Sequence, residues 1–495
     1  MGVMKFLVPR RDDFALDAVE RAYMAGLDEI PWRARIHWSD DGLSVERAEA
    51  DSGNLFVPCL VDGRGELVLS TACLMERPLP YHLHVELARG TLNRLRNQIA
   101  TWEGMGMRVP EAVRKLVHVA SEQFAGAATR QDDPAVAAAG AMEATRSALE
   151  AIDALAAAFA DQALATRHQA GKINALFGVN LGWSKPSPAV TAAILPAINT
   201  AVVPLSWRAI EGTEGQRDWS LCDAQIEWCR AHNLKICSGP LLQVDKWSLP
   251  DWMYLWGEGD EDSFRKCVAE HVDAVVDRYR GKVQLWQCAA RLNLNNDFDQ
   301  GEEERLRLAV LTVELIRRMD ARTPIVLTLD QPWGSYMGRE DYDLSPLHFA
   351  DALVRAQLGI AGIGLEINFG YVPHGSEARD VVEFGRQIDR FGSLGLPLLI
   401  SLVVPGEGSG DAAARLKDQA PGFAAPGSPA GEAQRAWAER YVPLLLTKQP
   451  VQGILWNQLS DSQPHLFAHG GLFDAKDRAK PIVEQLAKLR REHLV

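Results

Sequence analysis

From Leu176 onward, short apolar runs alternate with longer stretches in which apolar residues recur every three or four positions. The runs are Leu176–Trp183, Asn199–Trp207, Leu234–Leu242, Lys282–Ala290, Thr323–Trp333, Ile360–Tyr371, Leu396–Pro405 and Val451–Asp461. Continuous apolar strands separated by helices imply a parallel sheet buried on both faces. Eight such units predict an α/β fold, a (β/α)8 TIM barrel over residues 173–495. The Gly/Pro/Ala-rich stretch 405–431 follows the seventh run and reads as an extended, mobile loop.

The N-terminal third has a different texture. Residues 1–90 carry short alternating runs around Ala34–Ser39, Leu43–Ala48, Asn54–Val61 and Glu66–Thr71, with Asp40-Asp41-Gly42 and Asp62-Gly63-Arg64-Gly65 as turn punctuation. That pattern predicts a small β-rich, sandwich-like region. Residues 91–172 turn helical and include an Ala-rich helix from about Pro134 to Arg167, whose small side chains suit close helix packing. The expectation is thus a barrel with a β-rich plus helical accessory region before it.

Composition narrows the function classes. A formal net charge of −13 excludes a basic nucleic-acid surface and favours a neutral or weakly charged ligand. No segment is long and apolar enough to span a bilayer, and the N-terminus lacks the apolar core of a signal peptide, so a cytoplasmic location is expected. The seven cysteines are scattered without a C-x-x-C pair and read as reduced, buried hydrophobes. No phosphate loop, H-E-x-x-H or G-x-S-x-G motif occurs, and no metal or cofactor is expected. His465 and His469 have a four-residue spacing but lie in a segment that reads as loop.

The order of motifs along the barrel resembles glycoside hydrolase family 10, the endo-xylanase family. Arg278-Tyr279, Gly281-Lys282 and Trp286 match the frame leading into that family's fourth strand. Ser206-Trp207 with Ala209 to Gly215, Pro250-Asp251-Trp252, Ala361 to Leu365, and Gly453 to Asp461 followed by Gly470 to Pro481 are similar to further family segments. The resemblance implies a glycosidase-like barrel with a carbohydrate ligand, and it also shows what is missing. The family's acid/base glutamate falls at Arg291, and its nucleophile falls at Leu402. Arginine cannot act as a proton donor at neutral pH, and leucine has no nucleophilic atom. A plain xylanase is not expected on that reading.

Barrel sites sit at the C-terminal ends of the strands. The carboxylates there are Glu366, Asp330 and Asp461, the candidates for catalysis. Hydrolysis with two carboxyl groups calls for a separation of about 5 Å with retention or about 6.5–9.5 Å with inversion. Glu366 with Asp330 is preferred, because their strands adjoin; the competing reading makes Arg291 the structural ion-pair partner of Glu366 or Asp330, or the holder of an anionic substrate. The substrate-binding candidates are Trp207, Gln243, Arg291, Asn293, Gln331, Trp333, Asn368, Tyr371, Trp456 and Asn457, with Trp183, Trp247, Trp252 and Trp256 in adjoining loops. Two functions follow: a diverged glycoside hydrolase acting on a β-linked oligo- or polysaccharide with relocated carboxylates, or a non-catalytic carbohydrate-binding barrel. Oligomeric state is left open by the sequence.

Overall fold

The computed structural model describes every residue except 1, 41, 49, 256–260, 299, 373, 409 and 424–428, so Trp256 lies outside the described residues. Eight parallel strands close into a barrel: β1 (Leu176–Asn180), β2 (Thr200–Val203), β3 (Lys235–Ser238), β4 (Leu285–Ala290), β5 (Ile325–Asp330), β6 (Gly362–Asn368), β7 (Leu398–Val403) and β8 (Val451–Trp456). Closure is made by β8 against β1, with Ile454 opposite Phe177 and Leu455 opposite Gly178. Each of the eight apolar runs supplies one strand, in the expected order. The third is interrupted at Gly239-Pro240 and resumes as Leu242–Gln243, which pairs with Ala289 and Ala290 at the end of β4.

Alternation along each strand sorts the side chains into two layers. Ile325, Leu327 and Leu329 of β5, Ile363, Leu365 and Ile367 of β6, and Leu398, Ile400 and Leu402 of β7 join the large core between the barrel and its helices. Val202, Cys237, Val326, Leu399 and Leu455 face inward and form a separate apolar floor. Leu402 therefore points away from the barrel interior. The inward position on β7 is Ser401, and the assignment of Leu402 to a position facing substrate is corrected by this parity. Gly364 is inward too, where a Cβ would come within 2.2 Å of Thr328 Oγ1, so no larger residue fits between β5 and β6 there.

Ahead of the barrel lie two four-stranded sheets. One has the order Arg35–Ser39, Gly42–Arg47, Gly2–Leu7, Tyr81–His82; the other has Pro31–Trp32, Tyr23–Ala25, Asn54–Val61, Gly65–Ser70. Helices Leu83–Gly104, Glu111–Ala128 and Pro134–Arg167 follow. The last starts where Asp133 accepts hydrogen bonds from Ala135 N and Val136 N and Pro134 presets the first turn. Its Ala137, Ala141 and Ala144 pack with Val85, Ala88 and Ala127 of the other two helices, where only small side chains fit. This unit grips the barrel through buried charge: Arg94 reaches Asp380 at 2.7 Å, and Arg21, paired within the unit to Glu66 at 2.7 Å, reaches Glu377 at 3.5 Å. None of the helices among the described residues is long and apolar enough to cross a membrane.

The stretch after β7 differs from the expected free loop. Ala414–Leu416 forms a short strand parallel to His465–Phe467 from the loop after β8. Asp411 then clasps His465 Nε2 at 2.8 Å and the backbone N–H of His469 at 2.9 Å. The alternation of buried Ala414, exposed Arg415 and half-buried Leu416 explains the pairing: one side of this strand is apolar and the other faces the barrel mouth.

Candidate functional site

A cavity of about 200 Å³ opens at the C-terminal end of the strands and descends to the apolar floor. Its polar wall comes from strand ends: Asn180 of β1, Gln243 after β3, Gln287 of β4 and Arg291 just past it, Glu366 of β6, Ser401 of β7 and Asn457 after β8. Trp183 and Trp247 stand at its rim, and Arg415 reaches it from the β7–β8 connection. Among the described residues, Glu366 is the only carboxylate in the lining.

Arg291 organises the upper layer. It is the first residue past β4 and adopts a left-handed φ of 62°, while Gln331, the first past β5, has φ 48°. Both non-glycine residues hold an uncommon conformation of the kind that concentrates at functional sites. The Arg291 turn aims the guanidinium at β5 and β6, whose register sets Asp330 directly beside Glu366. Arg291 Nη2 lies 2.5 Å from Glu366 Oε1, and Nε lies 3.1 Å from Oε2. Asp330 Oδ2 is 3.3 Å from the same Nε, and Asp245 Oδ2 is 3.7 Å from Nη1.

Amides complete the network. Asn368 Nδ2 donates to Glu366 Oε1 at 3.1 Å and to Asp330 Oδ1 at 3.3 Å, so both carboxylates converge on one amide. Asn457 Nδ2 donates to Glu366 Oε1 at 3.0 Å. Two carboxylates share one cation, and the nearer takes the pairing. Burial, and then the neighbouring Glu366 charge, push the Asp330 carboxyl up to about 8, against the pull of Arg291. Burial opposes the Arg291 charge, but Glu366 and Asp330 outweigh it and hold the guanidinium above its ordinary proton affinity.

The other expected site residues fall into distinct places. Asp330 and Asn368 are buried behind the cavity wall as the layer that holds Glu366. Asn293 pins the β5 end, donating to the Asp330 carbonyl at 2.8 Å and accepting from the Asp330 N–H at 3.0 Å. Gln331 donates its backbone N–H to Asp330 Oδ1 at 2.7 Å, and its side chain is not in the lining. Asp461 is committed elsewhere: Lys480 Nζ lies at 2.6 Å, and Gln458 Nε2 and Gly471 N donate to it at 2.8 and 2.7 Å. Asp411, Asp461 and His469 bring ligand atoms within 4.8 Å of one another, but the Lys480 ammonium already supplies a cation there.

The tryptophans divide in the same way. Trp333 is 4% exposed, packs edge-on against Phe384 and does not reach the cavity. Trp207 lines the cavity, but its indole N–H is bound by Glu211 and its ring stacks on His271, which burial keeps neutral by lowering its pKa to about 3. Trp456 also reaches the lining while donating to the Gly470 carbonyl at 2.8 Å, and Tyr371 is buried with its hydroxyl on the Ala468 carbonyl at 2.7 Å. Trp183 is 42% exposed and offers the open ring face that neither Trp207 nor Trp333 can. Asn180, Gln287 and Ser401 were missed by sequence reasoning; each is an inward position that strict alternation within its own strand identifies.

The strand order defines a (β/α)8 barrel, with the cavity at the C-terminal ends of its strands. The sequence model for glycosyl hydrolase family 10 matches residues 193–307, a span that holds β2, β3 and β4. Endo-1,4-beta-xylanase 3 of Hypocrea jecorina is 29% identical over 98 residues, 19% of this chain and 27% of that protein. The chain therefore aligns with about a quarter of the length of that curated relative. Among solved structures, native xylanase 10B from Thermotoga maritima overlays with a TM-score of 0.48 at 15% identity, covering 66% of this chain and 98% of that one. Xylanase 10B from Thermotoga petrophila in complex with xylobiose gives a TM-score of 0.47 at 14% identity, covering 66% and 96%. The barrel architecture rests on the strand order itself.

Proposed function

We propose that this barrel binds a carbohydrate in its mouth and does not cleave it by the two-carboxylate route of family 10. One observation carries the reading: the single carboxylate among the described lining residues, Glu366, is fully engaged by Arg291, Asn368 and Asn457. A glycosidic oxygen needs a proton donor, and the anomeric carbon needs a second carboxylate or an activated water. Arg291 at the end of β4 supplies neither, and Ser401 and Val403 of β7 bring no carboxylate from that strand. What remains suits recognition, with amides for hydroxyl groups and an open tryptophan ring for the C–H face of a sugar. A neutral β-1,4-linked xylo-oligosaccharide is the ligand to try first, given the xylanase names of the relatives. Calorimetric titration of wild type and Trp183→Ala tests the reading. Binding that Trp183→Ala weakens supports it, and no heat with any xylo-, cello- or manno-oligosaccharide removes it.

A second reading is favoured by one feature of the same site. Asp330 holds its proton up to about 8 beside an ion-paired Glu366. Paired carboxylates with separated proton affinities are the arrangement of an acid and a base. In a hydrolase of this kind Glu366 would be the base or nucleophile, and Asp330, which lies behind the cavity wall, would have to be released from Arg291 and enter the mouth to be the donor.

A further inference from the structure

Arg291 cannot greet an anionic ligand, because its guanidinium is already shared by Glu366 and Asp330. A different cation at the rim is free of carboxylates. Arg415 lines the cavity, is exposed, and has no acidic partner among the described residues. It is not a loose surface arginine. Its strand, Ala414–Leu416, is paired with His465–Phe467, and Asp411 locks that segment to His465 and His469. The guanidinium carbon lies 4.6 Å from the centre of the Trp247 ring, and Lys246 Nζ lies 4.8 Å from the same ring. Trp247 is itself fixed, its backbone N–H donating to Asp245 Oδ1 at 3.0 Å.

An arginine stacked on an aromatic face keeps its N–H edge unspent and directed sideways, in a geometry that matches a planar anion. Two cations on one ring are unusual in a chain of net charge −13, whose overall field repels anions. The placement also separates two tasks. Trp183 has the open ring, whereas Trp247 is occupied by cations and so serves to position Arg415.

We propose that Arg415, oriented by Trp247, is a specificity-determining residue that selects saccharides bearing an anionic substituent, a hexuronate carboxylate or a sulfate ester, over their neutral counterparts. This rests on the reading that the cavity binds carbohydrate. Trp247 is a positioning residue, and Arg415 makes the contact.

The test uses the full chain and three probes: a neutral xylo-oligosaccharide, the same oligosaccharide with a glucuronic acid branch, and a sulfated one. Titrations are run at low and moderate salt on wild type, Arg415→Gln, Arg415→Lys and Trp247→Leu. Wild type should prefer at least one anionic probe by about tenfold, the scale of one hydrogen bond to a charged group. Arg415→Gln should bring that ratio close to one. Arg415→Lys should retain part of it, and Trp247→Leu should reduce it although the charge is intact. Which anion is preferred tells carboxylate from sulfate. Equal wild-type affinity for all three probes overturns the inference and leaves carbohydrate binding standing, as does a preference that survives in Arg415→Gln. Failure of wild type to bind any of the three overturns this inference, and the carbohydrate reading falls with it when cello- and manno-oligosaccharides also give no heat.

Discussion

Arg291 and Glu366 face each other across the barrel mouth as a two-point ion pair, with contacts of 2.5 and 3.1 Å. The pair lies just past the end of β4 and near the end of β6, and it neutralises the upper layer of the mouth from within. Its energetic signature should be that of a buried pair: removing one partner strands a charge, whereas removing both need not cost much. Arg291→Met is expected to destabilise the fold by about 3–5 kcal/mol. Arg291→Met with Glu366→Leu should recover most of that loss. Denaturant unfolding of the two single variants and the double variant measures the coupling, and additive losses would show that the pair is not a unit.

Asp330 gives the fold a pH dependence whose sign can be worked out. Its folded-state pKa, about 8, lies above the unfolded value of 3.8, so between these limits the native state binds a proton that the unfolded state has lost. Its contribution is complete below about pH 4 and declines as pH rises towards 8, by at most about 1.4 kcal/mol per pH unit. Asp330→Asn keeps an acceptor for the Gln331 N–H and cannot ionise. Its stability, compared with wild type, should therefore rise progressively from pH 4 to pH 8. A constant difference across that range would mean that Asp330 is ionised in the native protein.

The two carboxylates are linked through one cation, which gives a spectroscopic prediction. Glu366→Gln leaves Arg291 with Asp330 as its nearest acid. Asp330 should then lose its proton at lower pH, because the like charge is gone and the guanidinium is free to pair with it. Infrared difference spectra should show the protonated-carboxyl band of wild type near neutral pH and its loss in Glu366→Gln.

Asp461 and Trp333 should act on stability and not on ligand. Asp461→Asn breaks a buried pair with Lys480 and is expected to cost about 3–5 kcal/mol. Trp333→Ala empties a core position and should cost about 3–5 kcal/mol as well. Trp183→Ala removes an exposed ring, so its thermal midpoint should stay near wild type while sugar affinity falls by about 1–3 kcal/mol. Thermal unfolding and calorimetry on the same samples separate the two behaviours.

Much of the barrel was legible because a strand buried on both faces, such as Ile325–Asp330, needs no polar alternation and stands out as an apolar run. The ends of β5 and β6 were legible for the same reason, since Asp330 and Glu366 are the first charges after those runs. Facing was harder. Leu402 and Ser401 exchange roles with a one-residue shift, and only the pairing of Ser401 beside Glu366 fixes which of them looks inward. Trp333 and Trp183 could not be told apart by residue type, because which ring is buried depends on helices distant in sequence; Phe384 is the example for Trp333. Arg415 was hidden in a Gly/Pro-rich stretch, although the alternation Ala414, Arg415, Leu416 held a faint strand signal. Its partner, His465–Phe467, comes from the following strand's loop, and local pattern contains no trace of that pairing.

The central claim, recognition without cleavage, is tested most directly by holding protein and an equimolar neutral xylo-oligosaccharide together for a day. The same sample is then divided between a binding measurement and chromatography of the sugar. The account predicts a bound and intact oligosaccharide. Shortened products that disappear when Glu366→Gln replaces the wild type would contradict it and establish the relocated-carboxylate hydrolase in its place.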